Sequence, residues 1–164
     1  GVVDSRTAGG LGVGTAALSP LHADPGSLGM AGIWVLYTDG ASRGNPGPAA
    51  IGAVLYSWVE GEPLFEVETI SEAIGVATNN VAEYQAVVAG LRMAKRHDPD
   101  QLWVRADSQL LIRQLEGRWR VRNRGLIELH RTARALLDEI PHKLQHVPRE
   151  DNSVADMLAN RALD

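Results

Sequence analysis

Ile33-Trp-Val-Leu-Tyr-Thr-Asp-Gly-Ala-Ser-Arg-Gly-Asn-Pro-Gly-Pro48 decides how the rest of the chain is read. From Ile33 to Asp39 both alternating faces are largely apolar, which predicts a strand in the middle of a sheet. A Gly-rich turn over residues 40–48 follows, leaving the Asp39 carboxylate at the strand's end.

Working outward, residues 49–58 and 64–70 predict two further strands, with Gly61 and Pro63 marking the turn between them. Two such strands in succession imply antiparallel pairing. Residues 79–96 predict an amphipathic helix, with Val81, Tyr84, Val88 and Leu91 forming its apolar stripe. A short strand is expected over 102–107, then helices over 108–116 and 126–139, the second stopped by Pro141. A strand over 143–147 and a helix over 152–163 close the series. A meander joined to parallel crossovers gives an α/β fold with a mixed sheet flanked by helices. Residues 1–32 are rich in Gly, Ala and Ser and lack a helix or strand period. They read as a flexible extension or leader, leaving one compact domain over residues 33–164.

The composition is that of a globular protein, with 45% hydrophobic and 22% charged residues. No apolar run approaches the roughly 20 residues of a membrane span. The absence of cysteine excludes disulfides, thiolate zinc sites and cysteine nucleophiles, and fits a cytoplasmic location. The net charge of −4 means that affinity for a polyanion has to come from local clusters or metal ions.

Four acids fall at the ends of these elements. Asp39 and Asp107 close two strands that, as parallel neighbours, would present both carboxylates at one sheet edge. Glu83 lies one turn into its helix on the face of Asn79, and Asp156 lies one turn from Asn152. Converging carboxylates repel unless neutralised, and hard oxygen ligands without His or Cys suit Mg²⁺ or Mn²⁺. Two such ions about 3.5–4 Å apart can activate water and stabilise a phosphodiester's leaving oxygen. Each acid taken singly reads more often as a turn residue, a cap or a solvated side chain.

The sequence around each acid separates these readings. Tyr-Thr-Asp-Gly-Ala-Ser-Arg-Gly-Asn-Pro-Gly-Pro at 37–48 resembles the first motif of type 1 ribonucleases H. Thr-Asn-Asn-Val-Ala-Glu-Tyr at 78–84, Ala-Asp-Ser at 106–108 and Asn-Ser-Val-Ala-Asp-Met-Leu-Ala at 152–159 resemble the second, third and fourth. The resemblance spans residues 33–163 and is to the short form without a large basic protrusion. It implies a five-stranded mixed sheet, and Asp39, Glu83, Asp107 and Asp156 as catalytic ligands of two Mg²⁺ or Mn²⁺ ions. The reaction it implies is hydrolysis of the RNA strand of an RNA–DNA hybrid, leaving 3′-hydroxyl and 5′-phosphate ends. Gly40, Ser42, Asn45, Thr78, Asn79 and Asn80 match positions at the substrate, Thr78 near a DNA-strand phosphate. Asparagine suits this role because its side chain both donates to and accepts from 2′-hydroxyls.

The match departs from the family pattern in three places. The loop before the last helix lacks the mobile histidine of many relatives, and Arg149 or Glu150 takes that space; His146 reads as structural. Val76 stands where some relatives carry a basic residue. The basic helix and loop are reduced to Arg113, Arg118, Arg120, Arg122 and Arg124 around Trp119, which reads as a substrate contact. Trp34, Trp58 and Trp103 read as core residues. The expected state is a monomer, with fusion to a second domain left open. The alternatives are another enzyme on the same fold and a catalytically weak or silent hybrid- or RNA-binding module.

Overall fold

The computed structural model describes residues 32–164; the expected N-terminal extension, apart from Gly32, lies outside them. The elements in chain order are β1 (Ile33–Ser42), β2 (Gly47–Ser57), β3 (Phe65–Ala77), α1 (Asn79–Lys95) and β4 (Gln101–Ala106). They continue with α2 (Gln109–Leu115), α3 (Arg124–Asp138), β5 (His142–His146), a 3₁₀ turn (Arg149–Asn152) and α4 (Ser153–Arg161).

The five strands form one mixed sheet in the order β3-β2-β1-β4-β5. β1 pairs antiparallel with β2 and parallel with β4, and β4 pairs parallel with β5. This is the expected mixed α/β sheet, with β1 central because its apolar residues are covered from both sides. Leu36, Leu55, Leu102 and Val104 meet Tyr84, Val87, Leu91 and Met93 of α1 in the main core, which Leu126, Ala133 and Leu137 of α3 extend. α4 packs on the opposite face, over β1, β2 and β3.

Side-chain caps start three of the helices. Thr78, Ser108 and Asn123 accept from the backbone N–H groups of Val81, Leu111 and Gly125, starting α1, α2 and α3. Each such cap contributes about 1 kcal/mol.

Several expected boundaries move. β1 does not stop at Asp39 but continues to Ser42, because β2 pairs with it through Ala41–Ala50 and Ser42–Ala49. β3 runs to Ala77 rather than residue 70, since β2 remains available as a partner down to Gly47. A shift of register there takes Gly75 into positive φ, +86°. Asn152 closes the 3₁₀ turn, and α4 begins at Ser153.

The tryptophan expectation needs correction. Trp34, Trp58 and Trp103 are half-buried, not core. Trp34 packs at the core's edge against His97, 5.1 Å between ring centroids. Trp58 and Trp103 pack edge to face, 5.0 Å apart. Trp103 shares the face of β4 with Arg105, opposite buried Leu102 and Val104. His146 is also exposed, at the end of β5.

Candidate active site

Two glycines allow four acids to meet. Asp39 and Gly52 are directly paired across β1 and β2, so their Cα substituents point to the same face. That face receives α4, and a Cβ on Gly52 would lie 2.2 Å from the Ala155 carbonyl oxygen and 2.6 Å from the Ala159 nitrogen. The bare strand lets α4 settle against it, which brings Asp156 beside Asp39. Gly40, one residue on, points the other way. A Cβ there would stand 2.3 Å from the Ala82 carbonyl carbon and the Glu83 nitrogen, so the first turn of α1 packs directly on backbone. Glu83 thereby reaches Asp39 from the opposite layer.

One oxygen from each of Asp39, Glu83 and Asp107 lies within 4.8 Å of the other two. Asp156 stands against Asp39, close enough for a shared hydrogen bond, rather than inside that trio. Neighbouring side chains hold the acids in place. The buried Asn152 amide donates to the Thr38 carbonyl at 2.9 Å and to Asp107 Oδ2 at 3.3 Å. Asn160 donates to Asp156 Oδ1 at 3.1 Å, and the Ser108 hydroxyl hydrogen-bonds Glu83. The Gly40 N–H donates to Asp39 Oδ1 at 3.0 Å.

The cluster is electrostatically unfavourable as it stands. Burial pushes the Asp39 carboxyl up from 3.8 to about 8, helped by the charge of Asp107, by Asp156 and by Glu83. Burial also raises Glu83 from 4.5 to about 7; the Ser108 hydroxyl opposes this and the Asp107 charge adds to it. Acids forced to hold protons near neutrality form a site that releases them to a cation. The donor set suits a hard divalent ion, being all carboxylate oxygen. Beside it, Asn152 Oδ1 is buried without a hydrogen-bond partner among the described residues. An orphan polar atom next to clustered carboxylates suits the water shell that Mg²⁺ or Mn²⁺ retains.

The other sequence-derived positions divide into two groups. Asn45 Oδ1 accepts from the Asn79 N–H at 3.0 Å, tying the Gly-rich turn to the start of α1. Thr78 caps that helix and Asn80 is exposed on its first turn. These residues share one rim with Glu83. Ser42 is engaged internally, its hydroxyl donating to the Ala77 carbonyl at 2.8 Å. Gly40 has a packing role. Arg149 and Glu150 are exposed on the 3₁₀ turn.

Trp119, 44% exposed, sits on the loop between α2 and α3 with exposed Arg118, Arg120 and Arg122, and exposed Arg124 opens α3. Arg113 and Arg118 pair with Glu116. The loop is tied to the site through a network the sequence did not disclose. Tyr84, next to Glu83, donates to Gln114 Oε1 at 2.6 Å, and Gln114 Nε2 donates to the Arg120 carbonyl at 3.2 Å. Gly52, Gln114 and Ser108 likewise acquire their roles only through contacts distant in sequence. Asn152 had a sequence signal, its place in the fourth motif, but not its grip on Asp107.

A family model described as reverse transcriptase-like matches residues 37–162. A bifunctional protein of Mycobacterium tuberculosis is 43% identical over 131 residues, which make up 79% of this chain and 35% of that protein. The chain thus spans about a third of that relative's length. The crystal structure of ribonuclease H1 from Halobacterium salinarum superposes with a TM-score of 0.76 at 46% identity, covering 81% of this chain and 98% of that one. LC11 ribonuclease H1, solved in complex with an RNA/DNA hybrid, superposes with a TM-score of 0.72 at 36% identity, covering 80% and 96%.

Fold and site together define an α/β domain in which a central strand gathers carboxylates from two helical layers into a cluster that could hold a hard cation. Within that class, the chain belongs to the type 1 ribonuclease H family.

Proposed function

We propose that this domain hydrolyses the RNA strand of RNA–DNA hybrids, with Asp39, Glu83, Asp107 and Asp156 holding two Mg²⁺ or Mn²⁺ ions. The observation that carries this reading is the convergence of three carboxylate oxygens within 4.8 Å, with Asp156 against Asp39. The hybrid bound by LC11 ribonuclease H1 supports the substrate class.

Bound there, divalent cations would activate a water and stabilise the leaving 3′ oxygen, giving 3′-hydroxyl and 5′-phosphate ends. The chain's own residues do the remaining work. Asp39 and Glu83 give up their protons as the ions enter. Asn152, Ser108 and Asn160 fix the orientation of Asp107, Glu83 and Asp156, so little reorganisation is needed during the reaction. The Thr78 hydroxyl accepts the Val81 N–H and keeps its own proton for a phosphate oxygen. Asn45, Asn79 and Asn80 on the same rim offer neutral donors and acceptors to the hybrid's 2′-hydroxyls. Trp119 offers a ring to the DNA-strand sugars, and the neighbouring arginines meet phosphates. Ser42 and Gly40 act by shaping this rim. Arg149 or Glu150 serves at the position of the absent loop histidine. The domain acts as a monomer in the cytoplasm; among the described residues no helix is long and apolar enough to cross a membrane.

The test is incubation of end-labelled hybrid, double-stranded RNA and double-stranded DNA with Mg²⁺, Mn²⁺ or chelator. Internal cuts confined to the RNA strand of the hybrid, lost in chelator and in Asp39→Asn, are expected. Tight hybrid binding with no cleavage under either metal would instead make the domain a silent binding module.

A further inference from the structure

α4 covers the far face of the sheet over β1, β2 and β3, and the β4–β5 half of that face carries an unusual set of side chains. Strand register aligns Tyr37, Arg105 and Gln145 in one cross-strand row, and Val35, Trp103 and Lys143 in the next. Arg105 is half-buried. Its Nη1 donates to the Tyr37 hydroxyl at 2.6 Å and its Nε to Gln145 Oε1 at 2.7 Å. Both acceptors are neutral. The guanidinium lies 5.4 Å from the Tyr37 ring centroid and 5.7 Å from that of Trp103, and Lys143 Nζ lies 4.8 Å from Trp103. Neither cation has an ion-pair partner among the described residues.

Two cations held by aromatic rings in an acidic protein, with no carboxylate of the described residues at ion-pair distance, are preorganised to meet an anion. A cleft of about 450 Å³ opens beside them, lined by Tyr37, Arg105, Gln145, His146, Val147 and Asp151. That volume admits a nucleobase, and Tyr37 and His146 supply rings in its wall. Asp151 stays beyond ion-pair distance of Arg105, leaving it to accept from a base N–H. We propose that this half of the sheet face binds a single-stranded polynucleotide, with phosphates at Arg105 and Lys143 and a base in the cleft. Cationic side chains interleaved with aromatic ones are the chemistry that holds single strands. The row containing Arg105 lies two residues below Asp39 and Asp107 along the strands, about 7 Å. A strand leaving the carboxylate cluster would meet the site with little extra length. The proposal does not depend on whether that cluster cleaves.

The experiment is fluorescence anisotropy of labelled single-stranded RNA and DNA of about ten nucleotides, in chelator, across a salt series. Arg105→Gln/Lys143→Gln should weaken single-strand binding about tenfold. It should also reduce the logarithmic salt slope by about 1.4, two phosphate contacts at roughly 0.7 each. Hybrid cleavage in Mg²⁺ should be unchanged. Lys143→Gln alone, at an exposed position, should give about half that change in slope and guards against a folding defect in Arg105→Gln. RNA and DNA losing affinity equally would mark a backbone-reading site, and a larger loss for RNA a 2′-hydroxyl contact; both support the proposal. It is overturned by a parent protein that binds neither strand, or by variants with unchanged affinity and slope. A loss seen only in Trp119→Ala, or an equal loss of hybrid binding, overturns it too.

Discussion

Replacing Asp39 with Asn should stabilise the metal-free protein at neutral and alkaline pH. The folded state holds the Asp39 proton up to about pH 8, whereas the unfolded chain releases it near 3.8. A group whose folded pKa is raised contributes its full stability below the unfolded value and loses it as pH rises through the folded one. At about 1.4 kcal/mol per pKa unit, the cost of ionising Asp39 in place approaches about 6 kcal/mol at pH 8. Some of this is repulsion shared with Asp107, Asp156 and Glu83, and Glu83 is itself raised to about 7. About half, ~3 kcal/mol, is therefore expected to be regained in Asp39→Asn at pH 8, and almost none at pH 4. For a domain of this size that corresponds to roughly 6–12 °C in Tm. Thermal or urea unfolding in chelator from pH 4 to 8.5 measures it, and adding Mg²⁺ should reverse the order by stabilising the parent more. A variant less stable than the parent at pH 8 without metal, or a difference flat in pH, would refute the electrostatic account.

Metal affinity should rise between about pH 6 and 8.5, because ion entry displaces protons from Glu83 and Asp39; calorimetry in buffers of different ionisation enthalpy would count them, and affinity independent of pH would exclude the linkage. Gly52→Val should separate α4 from β2 and cost at least about 3 kcal/mol, with cleavage falling further than stability explains. Near-parental unfolding and turnover would show that close backbone approach is unnecessary. Trp119→Ala should weaken hybrid binding about tenfold while leaving metal affinity intact; equal hybrid binding would give Trp119 a purely structural role.

Sequence alone disclosed those parts of the fold that local chemistry dictates. The apolar run ending near Asp39, the apolar stripe from Val81 to Leu91, and the turn at Gly61 and Pro63 are local signals, and the elements they predict are present. Asp39 and Asp107 could be set on neighbouring strands because their strand runs and surrounding motifs were both readable. The second half of β3 could not be foreseen, since its residues carry no strand alternation and pair because β2 is there. Trp58 and Trp103 were misplaced for a related reason. Large aromatics in an alternating strand suggest a core, but only one side of β4 packs into the core the helices form. Gly52 reads as an unremarkable strand residue until α4 lies across it, and Gln114 as one polar residue on a short helix until Tyr84 and the Arg120 carbonyl converge on it.

The two bare strand positions also govern when the site can exist during synthesis. Asp39, Glu83 and Asp107 leave the ribosome well before Asn152 and Asp156, and the latter pair reaches them only once α4 lies across Gly52. A nascent chain emerged as far as α3 holds three mutually repelling acids with neither the amide that steadies Asp107 nor the fourth carboxylate. Hydrolytic competence should then appear abruptly with chain length rather than grow with it. Ribosome-arrested chains assayed on hybrid would show a step as α4 emerges, whereas activity in shorter chains would mean the site closes without it. A polypeptide still attached to its own messenger would on this account be harmless to nearby nucleic acid until α4 is in place.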